Sequence, residues 1–311
     1  MRIATYRDAA GSLAAGAVSG DEVRPFTGGL DVRAVLERGL DAAGELPLGT
    51  PVPLTSVRLR APLRPATIRD FVAFEEHVEG VRRSVDGAGG VPDAWYDAPT
   101  FYFTNPHTVL GPDDDVAFPA ASVDRDFELE VAAVLGGDGR IFGYTVFNDW
   151  SARDLQSREM QVRLGPAKGK DFAGTLGPWL VTADELEPYR DADGFLQLCC
   201  TAAVNGVEVG RDVLANMGWT FETMIAYAAR DSRVVAGDVF GSGTVGNGGC
   251  LAELWGRNGR KDPPPLRDGD VVTLTVEGIG SLSNRVASGP PADGLPAVRR
   301  RDPAAARLRP V

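Results

Sequence analysis

The feature that most constrains this chain is an apolar run interrupted by two acids. Asp126-Phe127-Glu128-Leu129-Glu130-Val131-Ala132-Ala133-Val134-Leu135 reads as a strand. In a strand, residues i and i+2 point to one face, so Glu128 and Glu130 set two carboxylates side by side on a segment built for burial. The bland alternative is an edge strand with a solvated acidic face. It is disfavoured because the next segment, Ile141-Phe142-Gly143-Tyr144-Thr145-Val146-Phe147, is also apolar and leads directly to Asp149. Carboxylates embedded in core strands are paired or bound to metal. Oxygen-only ligands suit a hard cation, Mg²⁺ foremost, with Mn²⁺ or Ca²⁺ as alternatives.

The chain of 311 residues is too short for three domains and fits one catalytic unit plus a small appendage. An apolar fraction of 43% is enough for a substantial core. A net charge of −11 argues against nucleic acid or an anionic membrane as partner and says little about fold. Three cysteines, two of them adjacent at Cys199-Cys200, make neither a disulfide framework nor a metal-binding spacing. The opening Met1-Arg2-Ile3-Ala4-Thr5-Tyr6 lacks the apolar core of a signal peptide, and no stretch approaches the roughly 20 apolar residues of a membrane span. A reducing cytoplasm is the expected location.

Three regions follow from punctuation. Residues 1–60 combine short strand-like pieces with one helical stretch, Asp31 to Ala43, and read as a small N-terminal α+β domain. The Pro-rich link from Leu59 to Pro65 marks a boundary, and residues 61–289 form the main unit. There, Phe71 to Ser84 reads as a helix, and the Gly-rich patch Asp86 to Gly90 behind it is a candidate lid. Many short strands with Gly and Pro turns, interrupted by a helix over Asn216 to Ala229, predict a β-rich α+β core. Residues 290–311 form an Arg/Ala/Pro-rich tail without core periodicity, expected to be flexible. Two Gly-rich stretches are decoys. Gly241 to Gly246 matches GxGxxG but lacks the following long helix and acidic partner of a dinucleotide site, and Gly165 to Lys170 is one residue short of a phosphate loop.

Taken together, Phe147-Asn148-Asp149-Trp150-Ser151-Ala152-Arg153-Asp154-Leu155-Gln156, Glu128-Leu129-Glu130 and the Asp70-to-His77 segment resemble the core signature of the fumarylacetoacetate hydrolase family, over roughly residues 55–288. The resemblance implies a mixed, rolled β-sheet and a homodimer. It also implies that Asp70, Glu128, Glu130 and Asp149 ligate a divalent metal, with open coordination sites for a chelating 1,3-dicarbonyl. On the same grounds His77 is the general base, oriented by Glu253. Lys170 rather than Lys168 stabilises negative charge on the substrate. Arg153, Gln156, Tyr102 and Thr244 are the substrate-contacting candidates. A helix starting near Trp150 would present Asp149, Arg153 and Gln156 on one face; Ser151 and Asp154 would then serve its start. Glu253 as a surface residue, Thr244 in a plain β-turn and Tyr102 in a core strand are the competing assignments.

The chain departs from the fumarylacetoacetate-cleaving members at Val72 and near Met160, where they carry Tyr. Losing two phenols makes the pocket more apolar, which favours a larger or more hydrophobic β-diketone or acylpyruvate over a doubly charged acid. The expected activity is hydrolysis of a carbon–carbon bond in a 1,3-diketone or acylpyruvate-type keto acid by His/Glu-activated water. A metal-dependent decarboxylase, or an isomerase or tautomerase of a β-keto or dienol acid, is the alternative on the same fold. A silent binding or assembly protein is a third reading, disfavoured because every ligand, the His and the Lys are retained.

Overall fold

The structure, a computed structural model, describes residues 1–300 apart from Ala88, and only the backbone of Val85 and Asp86. Part of the candidate lid, at Ala88, and the tail beyond Arg300 therefore lie outside the described residues; residues 290–300 form no helix or strand.

Apolar runs too long for one face build a central sheet buried on both. Its twelve strands run from Val52–Pro53 at one edge through Glu22–Pro25, Leu13–Ser19, Arg2–Arg7, Gly174–Thr182 and Ile141–Asn148. They continue through Leu129–Leu135, Val239–Gly241 and Ile68–Phe71 to Phe101–Thr104; Arg58–Arg60 and Val109–Leu110 attach at the side. A five-stranded sheet packs alongside, in the order Val207–Val213, Cys199–Val204, Val271–Val276, Gly280–Ser288, Val116–Phe118. Pairing is mixed, and neither sheet closes into a barrel, so the fold is β-rich α+β as expected.

All seven residues of Leu129–Leu135 are buried. Val131, Ala133 and Leu135 join one core with Trp150 and Leu251. Ala132 and Val134 join another that is completed by the N-terminal region, where the helix Val32–Arg38 contributes Val32, Val35 and Leu36. Residues 1–60 thus add strands to the same sheet, Arg2 pairing with Val181 and Ile3 with Leu180, and lay a helix over it. The expected single helix from Asp31 to Ala43 is divided at Gly39, whose φ of 81° breaks the helical path before Leu40–Ala43.

The expected helix from Phe71 starts later, at Glu75, and runs to Asp86. Residues 68–71 are instead a fully buried strand, with Asp70 opposite Gly241 on one side and Tyr102 on the other. Two flanking strands satisfy its backbone, and that pairing overrides any local helical preference. Asp70 consequently projects from a rigid sheet rather than from a helix. Among the described residues, no helix is long and apolar enough to cross a membrane.

Candidate active site

Asp70, Glu128, Glu130 and Asp149 converge from three strands and the segments that border them. Glu130 lies in Leu129–Leu135, Glu128 just before it, Asp149 just after Ile141–Asn148, and Asp70 within Ile68–Phe71. Glu128 and Asp149 are held together: Asp149 N donates to Glu128 O at 3.3 Å, and Glu128 N to the Asn148 side-chain Oδ1 at 2.9 Å. One oxygen from each of the four lies within 4.8 Å of the others, and all four are buried. Gly241 makes room for them, since a Cβ there would stand 2.5 Å from Asp70 Oδ1 and 2.8 Å from Glu130 Oε2. Gly243, at φ 79°, donates its N–H to Glu130 Oε2 at 3.1 Å. The GxGxxG look-alike is therefore the turn that seats the acids.

Two cations enter the cluster. Lys170 Nζ bonds Glu128 and lies 2.6 Å from Asp149 Oδ2, while Arg153 Nη2 lies 2.8 Å from both Asp126 Oδ2 and Glu128 Oε1. Burial drives the Glu128 carboxyl upward, but Lys170 and then Arg153 outweigh it and hold it down at about 2. At Asp70 and Glu130 the balance tips the other way. Burial and then Asp149 push the Asp70 carboxyl well above its ordinary range, and burial and then Asp70 do the same to Glu130. Like charges this close call for protons or a cation. Asp70 Oδ1, Glu130 Oε1 and Asp149 Oδ1 are buried and have no hydrogen-bond partner among the described residues. An all-oxygen donor set with free, buried lone pairs fits a hard divalent cation.

A cavity of about 500 Å³ opens over this cluster. Asp70, Glu128, Glu130, Lys170, His77 and Tyr102 line it, as do Gln156 and Thr244. Tyr102 donates its hydroxyl to Asp149. His77, on the first turn of Glu75–Asp86, is buried, which pushes its ring down to about 4. Its Nδ1 lies 3.7 Å from Cys250 Sγ.

Other expected partners are held apart. Glu253, on the helix Leu251–Asn258, makes no hydrogen bond to His77; its Oε1 takes Gly248 N at 3.3 Å and pairs with Arg257 at 2.7 Å. Burial pushes its carboxyl up to about 7 against the pull of Arg257. Arg153 does not line the cavity, because Asp126 and Glu128 engage its guanidinium and Gln156 accepts from its Nη1 at 3.2 Å. The helix that carries it begins at Arg153, not near Trp150, since Ser151 and Ala152 first pair with Asp126 and Arg125. Asp154 accepts from Ser122 Oγ and Val123 N, anchoring that loop.

Two residues with work at this site carried no assignment from the sequence. Asp126 is buried, clamps Arg153, and accepts the N–H groups of Leu251 and Ala252 at 2.8 and 2.9 Å. Its signal was the alternation Asp126-x-Glu128-x-Glu130, one step longer than the Glu pair. Cys250 faces His77 and accepts Glu253 N at the helix start; a lone cysteine offers no comparable signal.

A buried cluster of carboxylate oxygens with a fixed ammonium, opening to a cavity of small-molecule size, defines an enzyme site rather than a binding surface for macromolecules. The family model described as the fumarylacetoacetate (FAA) hydrolase C-terminal domain matches residues 66–287, and the chain belongs to the fumarylacetoacetate hydrolase family. It is similar to fumarylacetoacetase of Arabidopsis thaliana, 28% identical over 310 residues that cover 76% of this chain and 73% of that protein. Solved structures at lower identity share the fold. The 5-carboxymethyl-2-hydroxymuconate delta-isomerase of Mycobacterium smegmatis superposes with a TM-score of 0.68 at 24% identity, covering 93% of this chain and 100% of that one. A 2-keto-3-deoxy-D-arabinonate dehydratase complexed with magnesium and 2,5-dioxopentanoate gives 0.68 at 23%, covering 93% and 99%. The fold is thus shared with proteins named an isomerase and a dehydratase.

Proposed function

We propose that this chain is a divalent-metal-dependent hydrolase that cleaves a carbon–carbon bond in a 1,3-diketone or acylpyruvate-type acid. One observation carries the reading: His77, Lys170 and three of the four clustered carboxylates line the same cavity, so a base, a fixed positive charge and a cation site meet in one space. Asp70, Glu128, Glu130 and Asp149 would hold the ion, Mg²⁺ foremost. A divalent cation, when bound, supplies Lewis acidity and a template for two substrate oxygens.

The remaining work falls to side chains. Burial keeps His77 neutral, and its Nε2 makes no hydrogen bond among the described residues, so Nε2 is the atom that takes a proton from water. Nδ1 then carries the other proton and directs it at Cys250 Sγ. The water oxygen bonds the carbonyl carbon, the carbon–carbon bond breaks with its electron pair left on the methylene carbon, and the proton on His77 returns to that carbon. An acylpyruvate plus water thus becomes a carboxylic acid plus pyruvate. Lys170, held charged between Glu128 and Asp149, stabilises the developing oxyanion. The working form in this reading is a cytoplasmic homodimer whose three cysteines stay reduced.

One contact favours a second reading. With Glu253 turned to Gly248 and Arg257, no carboxylate among the described residues hydrogen-bonds His77, and a decarboxylase or tautomerase at this site would need no activated water. Following the enol absorbance of acylpyruvates, fumarylacetoacetate and oxaloacetate with Mg²⁺-loaded protein separates the two. Loss of absorbance that requires metal and His77, with two acids as products, supports hydrolysis. Carbon dioxide or an isomer from an active His77→Ala variant transfers the assignment to the second reading.

A further inference from the structure

A second cavity, of about 340 Å³, lies directly against the first. The two share Val72, His77 and Thr100, so the imidazole that would activate water, one small aliphatic side chain and a threonine stand between them. Beyond that partition, Val78 and Val81 from the helix Glu75–Asp86 form one wall, and Trp95 and Ala94 from Asp93–Asp97 form the other. Helical spacing places 77, 78 and 81 on one side of the helix, so the element that delivers the base also delivers the apolar wall.

That wall is built in advance of any ligand. Trp95 Nε1 donates to the Val72 carbonyl at 2.6 Å, and its ring rests on Gly218, where a Cβ would stand 2.5 Å from Trp95 Cη2. Tyr96 and Trp219 pack against the same ring at 4.9 and 6.5 Å between centroids. The charged side chain at this cavity is Arg82, and its Nη1 is tied to the Gly90 carbonyl at 2.5 Å. No carboxylate, amide or lysine lines the space. Apart from Arg82, whose Nη1 is already engaged, no charged side chain of fixed sign faces the space, so most of its wall offers a charged group no partner.

Resting on the proposed function, we infer that this cavity is the acyl-group pocket: it takes an uncharged alkyl or aryl substituent on the carbonyl attacked beside His77. The substituent of that carbon begins one bond from the point of attack beside His77, a residue that both cavities share. Lys170 and Gln156 line the main cavity but not this one, and they suit the oxygen-rich end of the substrate. The substrate class is then a 1,3-dicarbonyl with a hydrophobic tail, not a dicarboxylate.

Binding of a homologous series tests this without turnover. The full chain loaded with Mg²⁺ is titrated with pentane-2,4-dione, heptane-2,4-dione and nonane-2,4-dione, read by difference absorbance and calorimetry, in wild type, Val81→Phe and Ala94→Phe. The readout is the affinity ratio of nonane- to pentane-2,4-dione within each protein, which cancels any general loss from a variant. Each methylene packed against the wall is expected to tighten binding by about threefold to fourfold, so the wild-type ratio exceeds about tenfold. Both filled variants are expected to bring it close to one. Ala94 is exposed, so Ala94→Phe keeps the test valid if Val81→Phe folds poorly. A homologue of equal length ending in a carboxylate is expected to lose the gain. Metal-dependent binding of pentane-2,4-dione with no gain from the tail, or a gain that survives both variants or the added carboxylate, overturns the pocket and leaves the proposed function intact. Absence of metal-dependent pentane-2,4-dione binding removes the proposed function, and the pocket assignment falls with it.

Discussion

His77 and Glu253 pull the stability of the fold in opposite directions as pH changes. Burial lowers His77 from its ordinary 6.5 to about 4, so between those values the unfolded chain holds a proton that the folded chain refuses. Its contribution is present above about pH 6.5 and is lost as pH falls toward 4. Glu253 is raised from 4.5 to about 7, so the folded chain keeps a proton the unfolded chain has shed. Its contribution is present below about pH 4.5 and is lost as pH rises to 7. Each shift corresponds to about 3 kcal/mol at most, and over pH 4.5–6.5 the two slopes oppose. Denaturant unfolding across this range should therefore show Glu253→Gln gaining stability toward pH 6.5 more steeply than wild type, and His77→Gln losing stability toward pH 7. Parallel profiles for both variants and wild type would rule out this account. At this scale the sequence revealed the carboxylates well, because a period of two and a buried context leave few uses for Glu128 and Glu130. It revealed Arg153 poorly. Whether a guanidinium meets a substrate or another side chain depends on Asp126, whose reach toward Arg153 is a property of the folded site.

The helix Leu251–Asn258 shows why some elements escaped the sequence. Residues 246–250 read as a Gly-rich loop, and the helix start is stabilised from outside: the Asp126 carboxylate accepts Leu251 N and Ala252 N across 125 and 126 residues. No local window contains that cap. Strands Val207–Val213 and Gly280–Ser288 carry mixed residues on half-exposed faces, and their neighbours supply the register. By contrast Val271–Val276 alternates cleanly and is found where its pattern places it. The two helices flanking the site are locked by small residues: a Cβ on Gly256 would collide with the Gly80 carbonyl oxygen, and one on Gly80 with Glu253 Cγ. Gly256→Ala should force Glu75–Asp86 and Leu251–Asn258 apart, destabilise the protein by about 1–3 kcal/mol, and lower activity by shifting His77 relative to the carboxylates. Chemical denaturation and steady-state kinetics on the same preparation check both effects. A variant with wild-type stability would mean that the helix pair has slack where the structure shows none.

At the scale of the whole molecule, Asp70 reaches Glu130 because residues 239–241 pair antiparallel with Leu129–Leu135 and parallel with residues 68–71, an arrangement of distant segments that periodicity does not encode. The N-terminal strands extend the same sheet for the same kind of reason, through the pairing of Arg2 and Ile3 with Val181 and Leu180. A sheet that gathers four acids from three separate stretches stores repulsion at its centre, so the stability of the entire fold is coupled to what sits there. A cation that binds only the folded chain adds about 2.7 kcal/mol at a concentration one hundred times its dissociation constant. Millimolar Mg²⁺ or Mn²⁺ should therefore raise the melting temperature by several degrees over EDTA-treated protein. Glu130→Gln should invert the comparison: with one like charge fewer it melts higher than wild type in EDTA, yet gains little from metal because a ligand is gone. The two proteins should thus exchange rank when Mg²⁺ is added. Equal metal responses in both would show that the cluster is not the binding site, and a wild type indifferent to metal would leave its buried charges to be neutralised by protons alone.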